Sequence, residues 1–376
     1  MVEDETGSIA AHFGALDDPR MERTKRHSLL AVITIALGGV ISGADTWVEI
    51  EERGHAREEW FAQVLDLPHG IPSHDAFGRV FAALDPMAFE DCLRAWVGCM
   101  VTTLGPQVIA LDGKALCGAH KAGTPPLQMV SAWASDARVV LAQRAVPEKA
   151  NELSAFPEVL RMLAREGCIV TIDAMGTHAP IAAQIMDQGA DYVLALKAHQ
   201  GRLFADVQGL FADVERWGPD TLTHTPDRWV DGGHGRSEVR ETWASTDQTP
   251  LAYLDPAGTW PALRSVVRIR ATRQLADRTT TENRYDRSSL DGPARKISQA
   301  VRQHWGIANS VHWVLAMAFR ADESRVRVGH AARNLSLLRH LALNLLRQES
   351  SKRIGIHAKR LIASANPAYL LKVLGG

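Results

Sequence analysis

Val108-Ile109-Ala110-Leu111-Asp112-Gly113 is a short, continuous apolar run closed by an acid and a glycine. A run of this length bounded by a turn signal predicts a strand buried on both faces. Cys168 to Ile172 repeats the pattern and also ends on an acid, Asp173. Between them, Leu127 to Ala134 and Arg138 to Val146 read as two strands, and the turn Ser135-Asp136-Ala137 marks a hairpin. The spacing predicts helices over 151–166, 177–188 and 201–217, with a further strand at Tyr192 to Leu196. The order is β-β-β-α-β-α-β-α. Strands joined by tight turns should be antiparallel, and those joined through helices should be parallel.

In open α/β sheets, ligands and reactions lie outside the carboxyl ends of the strands. Asp112 and Asp173 are both placed there. If their strands are neighbours the two carboxylates converge, which is costly unless a cation lies between them. Hard oxygen ligands favour Mg²⁺ or Mn²⁺. The alternative for either acid alone is a turn residue closing its strand. Lys114 after Gly113 does not make a phosphate-binding loop, because Val108 stands where such a loop needs its first glycine. No GxSxG elbow and no CxxC pair occurs, so serine and thiol hydrolase chemistry have no support.

Outward from this centre, residues 1–104 read as an N-terminal helical domain, with helices over 28–41, 46–53, 57–64 and 86–104. Such a unit suits either a DNA-binding head or a plain bundle. Residues 105–217 form the first part of the core. Residues 218–290, punctuated by Pro219, Pro226, Gly232, Gly233, Gly235, Pro250 and Pro256, read as a strand-rich insertion. Residues 291–349 complete the core with late helices over 294–320 and 335–348, and residues 350–376 form a basic tail. Ser28 to Ala44 is uncharged and mostly apolar, but too short and too rich in glycine for a membrane span, so a buried helix is expected. An acidic start without a basic leader region, together with four scattered cysteines, points to the cytoplasm.

The chain has 376 residues, 46% hydrophobic and 23% charged, with 42 Lys and Arg against 43 Asp and Glu. That neutral sum excludes a general polycation, yet it conceals a segregation. From Arg287 to Gly376 there are fifteen Lys and Arg against four acids, an excess of eleven that leaves the rest of the chain at -12. So basic a segment reads as a phosphate-contacting surface, or as a solvated helix face.

Several stretches then carry a resemblance. They are Leu111-Asp112-Gly113-Lys114, Met129-Val130-Ser131-Ala132-Trp133, Lys149-Ala150-Asn151-Glu152-Leu153, Thr171-Ile172-Asp173-Ala174-Met175-Gly176 and Asp191-Tyr192-Val193-Leu194-Ala195-Leu196-Lys197. His234-Gly235-Arg236, His304-Trp305-Gly306-Ile307 with Asn309, and His312-Trp313-Val314-Leu315 continue it, and Pro72-Ser73-His74-Asp75 extends it towards the N-terminus. Together they resemble the DDE transposases of bacterial insertion sequences, in particular the H-repeat-associated group. The resemblance implies an RNase H-like mixed-sheet core in which three carboxylates hold two divalent metals, Mg²⁺ or Mn²⁺, for in-line displacement at a phosphodiester. It further implies binding to the terminal repeats of the element's own DNA, as a homodimer that pairs two ends. Asp112 and Asp173 match the family's first two acids. Lys114, Lys197, His234, Arg236, Arg302, His304, Asn309 and His312 are the candidate DNA contacts.

The third acid is missing. The family carries Trp-x-Ile-Glu-Asn on its late helix, and this chain has Trp305-Gly306-Ile307-Ala308-Asn309; a second family acid is replaced by Ala316. Glu282, Asp322 and Glu323 are the nearest substitutes, but Asp322 would lie roughly 21 Å from Ala308 along an unbroken helix. His304 and His312, four residues either side of Ala308, share its helix face. A decayed element, a chain repurposed for DNA binding and a deliberate substitution all fit. Each predicts weak metal affinity and impaired strand cleavage.

Overall fold

The two acid-terminated runs lie side by side near the middle of a single sheet. The computed structural model describes residues 9–100, 105–116, 118, 126–146, 150–163, 166–218, 226–233 and 236–375. Six helices come first: α1 (Ile9–Phe13), α2 (Leu29–Ile41), α3 (Trp47–His55), α4 (Glu58–Phe61), α5 (His74–Ala83) and α6 (Pro86–Met100). Strands β1 (Val108–Leu116), β2 (Leu127–Ala134) and β3 (Val139–Ala145) follow, then α7 (Phe156–Arg161), β4 (Ile169–Ile172), α8 (Ala179–Asp187), β5 (Asp191–Leu196) and α9 (Gly201–Trp217). Next come β6 (Asp227–Gly233), β7 (Arg236–Ser245), α10 (Gln248–Leu254), β8 (Ser265–Gln274) and β9 (Thr279–Ser288). The chain closes with α11 (Ala294–Ile307), α12 (Trp313–Ala318), α13 (Ala331–Gln348), α14 (Ile356–Ala365) and α15 (Pro367–Val373).

The described strands are ordered β3-β2-β1-β4-β5-β9-β8-β7-β6. β1 pairs antiparallel with β2 and parallel with β4, and β4 pairs parallel with β5, as the connections require. β9 then adds antiparallel to β5, so the strands between residues 227 and 288 lengthen the same sheet.

One face of the sheet packs Ile109, Leu111, Val170, Ile172 and Leu194 against α7 and α8. On the other face Val108, Ile169, Val193 and Ile269 meet Ala294, Ile297, Ala300 and Val301 of α11. Ala110, Trp133 and Val140 on that face join a larger cluster with α2, α5 and α13. α2 is the expected buried helix: the Ser28 side chain accepts from the Ala31 amide to cap it, and nearly all of its residues are buried. No helix of the described residues is long and apolar enough to cross a membrane.

Several expectations need correction. The stretch 151–166 forms a 3-10 turn, Glu152–Ser154, followed by the short α7, in which Pro157 sits in the first turn. The late helix is not continuous from 294 to 320. α11 passes into a π-helical turn, Ala308–His312, and α12 ends at Ala318 before Arg320 adopts a left-handed backbone, φ 47°. The helix His74–Ala83, capped by Ser73, was missed.

The basic C-terminal segment is not all surface. Arg287, Arg339, Lys359 and Arg360 are buried. Arg360 illustrates why: its guanidinium donates to the Val40 and Ala44 carbonyls and pairs with Asp45 at 3.0 Å, fastening α14 to the end of α2. Arg339, Lys359 and Arg360 tie helices together, Arg287 of β9 stacks on Trp260, and all four are withdrawn from any phosphate surface.

Candidate active site and nucleic-acid face

Leu111 and Ile172 are the last residues in the parallel register of β1 and β4. Asp112 and Asp173 therefore leave neighbouring strands, about 4.8 Å apart, at the same level. Asp112 does not end its strand, contrary to the sequence reading: β1 continues to Leu116 because β2 goes on pairing with it, from Asp112↔Ser131 to Leu116↔Leu127. Asp173 does end β4. Its Oδ1 accepts from the Met175 and Gly176 amides at 3.1 and 3.3 Å, capping the turn that follows.

α11 crosses this end of the sheet. A cavity of about 360 Å³ lies between them, lined by Asp112, Asp173, Lys197, Arg284, His304 and Ala308 among others. The π-helical turn opens at Ala308, and such turns recur at functional sites because they re-aim side chains within a helix. It places His312 Nε2 3.2 Å from Asp112 Oδ2. Both ring nitrogens of His312 are buried, and neither meets hydrogen-bond geometry among the described residues.

The candidate DNA contacts fall into distinct situations. Lys197, at the end of β5, is exposed on the cavity rim. Asn309 is exposed, with the solvent-facing Trp305 and Trp313 four residues to either side of it. His304 is buried, with Nδ1 3.0 Å from the Thr171 hydroxyl. Burial, and then the nearby Arg284 charge, push its pKa down to about 4, so at neutral pH it is an uncharged spacer and does not supply a cation to phosphate. Lys114 is already held, 3.0 Å from Asp322. Arg302 is exposed on the opposite side of α11 from His304 and stacks on Trp229. Arg236 opens β7 opposite Gly233, and His234 lies outside the described residues.

Of the acids that the sequence sets nearest to Ala308, Glu282 lines the cavity from β9 and is exposed. The broken helix returns Asp322 towards β1, where Lys114 takes it. Glu323 is bound by Arg320 at 3.0 Å. The sequence reading overlooked Glu152. Its carboxylate rests against Gly113, so closely that a Cβ at position 113 would collide with it. Burial and the charges of Asp112 and Asp173 push the Glu152 pKa up, and His312 partly opposes this. The available signal was Gly113 itself, whose missing side chain makes room for the acid.

Among the described residues no group of three or more His, Cys, Asp or Glu is arranged to hold a metal ion. Asp112 and Asp173 have the right donor chemistry for a hard divalent cation. Alanine at 308 adds no donor to this pair, His312 sits 3.2 Å from Asp112, and Glu152 stands beside both acids.

A pair of acids at one level on adjacent strands, covered by a helix that carries the rest of the site, defines a mixed α/β protein with an acidic centre beside its sheet. Residues 103–345 match the family described as Transposase DDE domain, and residues 10–97 match the one described as DDE_Tnp_1-associated. The chain belongs to the DDE transposase family, in its H-repeat group. It is 34% identical over 375 residues to "Putative transposase YncI" of Escherichia coli O157:H7, covering 98% of this chain and 94% of that one. It is 31% identical over 378 residues to "H repeat-associated putative transposase YhhI" of Escherichia coli strain K12, covering 99% of each. Among solved structures, the piggyBac transposase synaptic complex with hairpin DNA covers 98% of this chain and 78% of its own, at a TM-score of 0.42 and 10% identity. Proteins of this family use divalent metal ions.

Proposed function

We propose that this protein binds the ends of its own mobile element and retains a transposase centre whose strand cleavage is crippled by the loss of one acid. The observation that carries this reading is Ala308, an apolar wall in the cavity that Asp112 and Asp173 line. The strand order β3-β2-β1-β4-β5 supports an RNase H-like core, and the helices before β1, which share a hydrophobic cluster with α13, are a candidate DNA-contacting part of the same body. Asp112 and Asp173 are the residues that would hold Mg²⁺ or Mn²⁺, weakly for want of a third ligand. Lys197, Asn309, Arg302 and Arg236 are the candidate contacts to DNA, and Lys114 joins them if Asp322 releases it. A homodimer would pair the two ends, and its place of action would be the cytoplasm.

The second reading, a catalytically silent DNA-binding protein, is favoured by the same alanine. One experiment separates them: terminal DNA incubated with Mg²⁺ or Mn²⁺ and either the wild-type chain or Ala308→Glu. Binding by both with cleavage by the Glu variant alone supports a binder with a disabled centre. Robust cleavage by the wild-type chain, lost on Asp112→Asn, restores the full enzyme and requires another third ligand, for which Glu152 is the nearest acid. Absence of salt-dependent DNA binding by either protein refutes both readings.

A further inference from the structure

A second cleft opens where β6 and β7 meet α11, and none of its lining residues borders the carboxylate cavity. Its volume is about 440 Å³, and it gathers four guanidinium groups, Arg228, Arg240, Arg295 and Arg302, around Trp229, with Asp227 as its one acid. Two of the four are partly neutralised: Arg240 pairs with Glu238 at 2.6 Å and Arg228 faces Glu241 at 3.9 Å. Arg295 and Arg302 have no carboxylate within 4.0 Å among the described residues, and both are exposed. The Arg302 guanidinium lies 3.6 Å from the Trp229 ring centroid, with that of Arg240 at 6.0 Å. Stacking fixes the plane of a guanidinium while leaving its in-plane N–H donors free, the arrangement that suits a phosphate oxygen.

We infer that this cleft is a phosphodiester clamp, taking the backbone of a nucleic-acid strand beside the carboxylate site. Arg295 and Arg302 stand seven residues apart on one helix, about 10.5 Å along its axis. With one charge per 3.4 Å of rise on each strand, that separation spans about three phosphates. The clamp rests on the reading that DNA is the partner, but it assigns a distinct surface. A purely structural role for the Arg302–Trp229 stack, joining α11 to the sheet, would affect stability and leave salt dependence alone.

The test is the salt dependence of binding by the full chain to a labelled duplex of arbitrary sequence, between 50 and 200 mM NaCl. Each phosphate contact contributes about 0.9 to the slope of log K against log salt. The double variant Arg295→Gln/Arg302→Gln should flatten that slope by about two, which makes its loss of affinity over this range roughly tenfold smaller than that of the wild-type chain. Arg295→Gln alone, which does not touch the stack, should flatten it by about one and leave the melting temperature unchanged. Arg161→Gln, an exposed arginine on α7, should keep the wild-type slope. An unchanged slope in folded Arg295→Gln, or equal flattening by Arg161→Gln, overturns the clamp while leaving DNA binding intact. No binding by the wild-type chain overturns the clamp together with the DNA reading.

Discussion

Acidification to pH 5 should destabilise this protein through two histidines buried in neutral form. His304 ties α11 to β4 through Thr171, and His340 lies inside α13 with Nδ1 donating to the Ser336 carbonyl at 2.8 Å. Burial is the main reason that both have pKa values pushed down to about 4. Unfolded, each would titrate near 6.5. A base whose folded pKa is depressed contributes its full stability above the unfolded value and loses it as pH falls towards the folded one, here from about 6.5 down to about 4. At pH 5 the linkage relation gives a loss of about 2 kcal/mol for each histidine relative to pH 7.5, or about 4 kcal/mol for two independent groups. Buried acids with raised pKa, such as Asp286 and Glu90, act in the opposite sense as they protonate, so the wild-type total is a sum of opposing effects. The decisive quantity is therefore a difference between proteins. Urea unfolding followed by circular dichroism at pH 7.5 and 5.0 would measure it for the wild-type chain, His304→Gln and His340→Gln. Each variant should show about 2 kcal/mol less acid sensitivity than the wild type, whatever its stability at neutral pH. Variants that retain the full wild-type response would refute the claim that these imidazoles are buried uncharged.

Gly113→Ala should change stability by less than about 1 kcal/mol, because the new Cβ meets only the far end of the flexible Glu152 side chain, which can swing aside; a loss of several kcal/mol in thermal melts would show instead that Glu152 is fixed against Gly113. Glu349 is a depressed acid: burial alone would raise its pKa, but hydrogen bonds from Ser351 and Tyr369 and the Lys359 charge hold it at about 2. Glu349→Gln should therefore cost about 2–3 kcal/mol at pH 7, a deficit that is full above about pH 4.5 and closes as pH falls towards 2. A deficit independent of pH in denaturation curves would rule that origin out.

Asp112 and Asp173 were legible because a strand buried on both faces leaves an unbroken apolar run, and the residue that ends such a run stands out. Their convergence was not legible; it depends on the register that sets Leu111 against Ile172, which only the pairing fixes. The alanine at 308 was visible through the family pattern, whereas the π-helical turn beginning there was not, since one extra residue per turn leaves apolar spacing almost unchanged. Glu152 escaped because it reaches the site from a loop turn misread as helix, and its proximity depends on Gly113 presenting bare backbone. Counting bases could not distinguish Arg302 on the surface from Arg360 among the carbonyls of α2, because composition carries no burial. The strands after residue 226 read as an insertion, and nothing in their alternation told that β9 would pair with β5.

Protein groups fix the walls of the carboxylate cavity. Asp173 caps its own turn through two backbone amides, and the Thr171–His304 contact joins α11 to the sheet. What remains unbalanced is charge, since Asp112, Asp173 and Glu152 stand close enough for the first two to raise the pKa of the third. Like charges about 6 Å apart repel by about 3 kcal/mol at an effective dielectric constant of 20. A fourth acid at 308 would add repulsion of that order against each neighbour, and a divalent cation would be needed to offset it. Alanine there adds no repulsion, and the His312 imidazole lies 3.2 Å from the Asp112 carboxylate. On the proposed function, the alanine that would impair strand chemistry thus also spares the fold this repulsion. A family member whose acid is lost by drift or by selection for DNA binding alone would be under no pressure from stability to regain it.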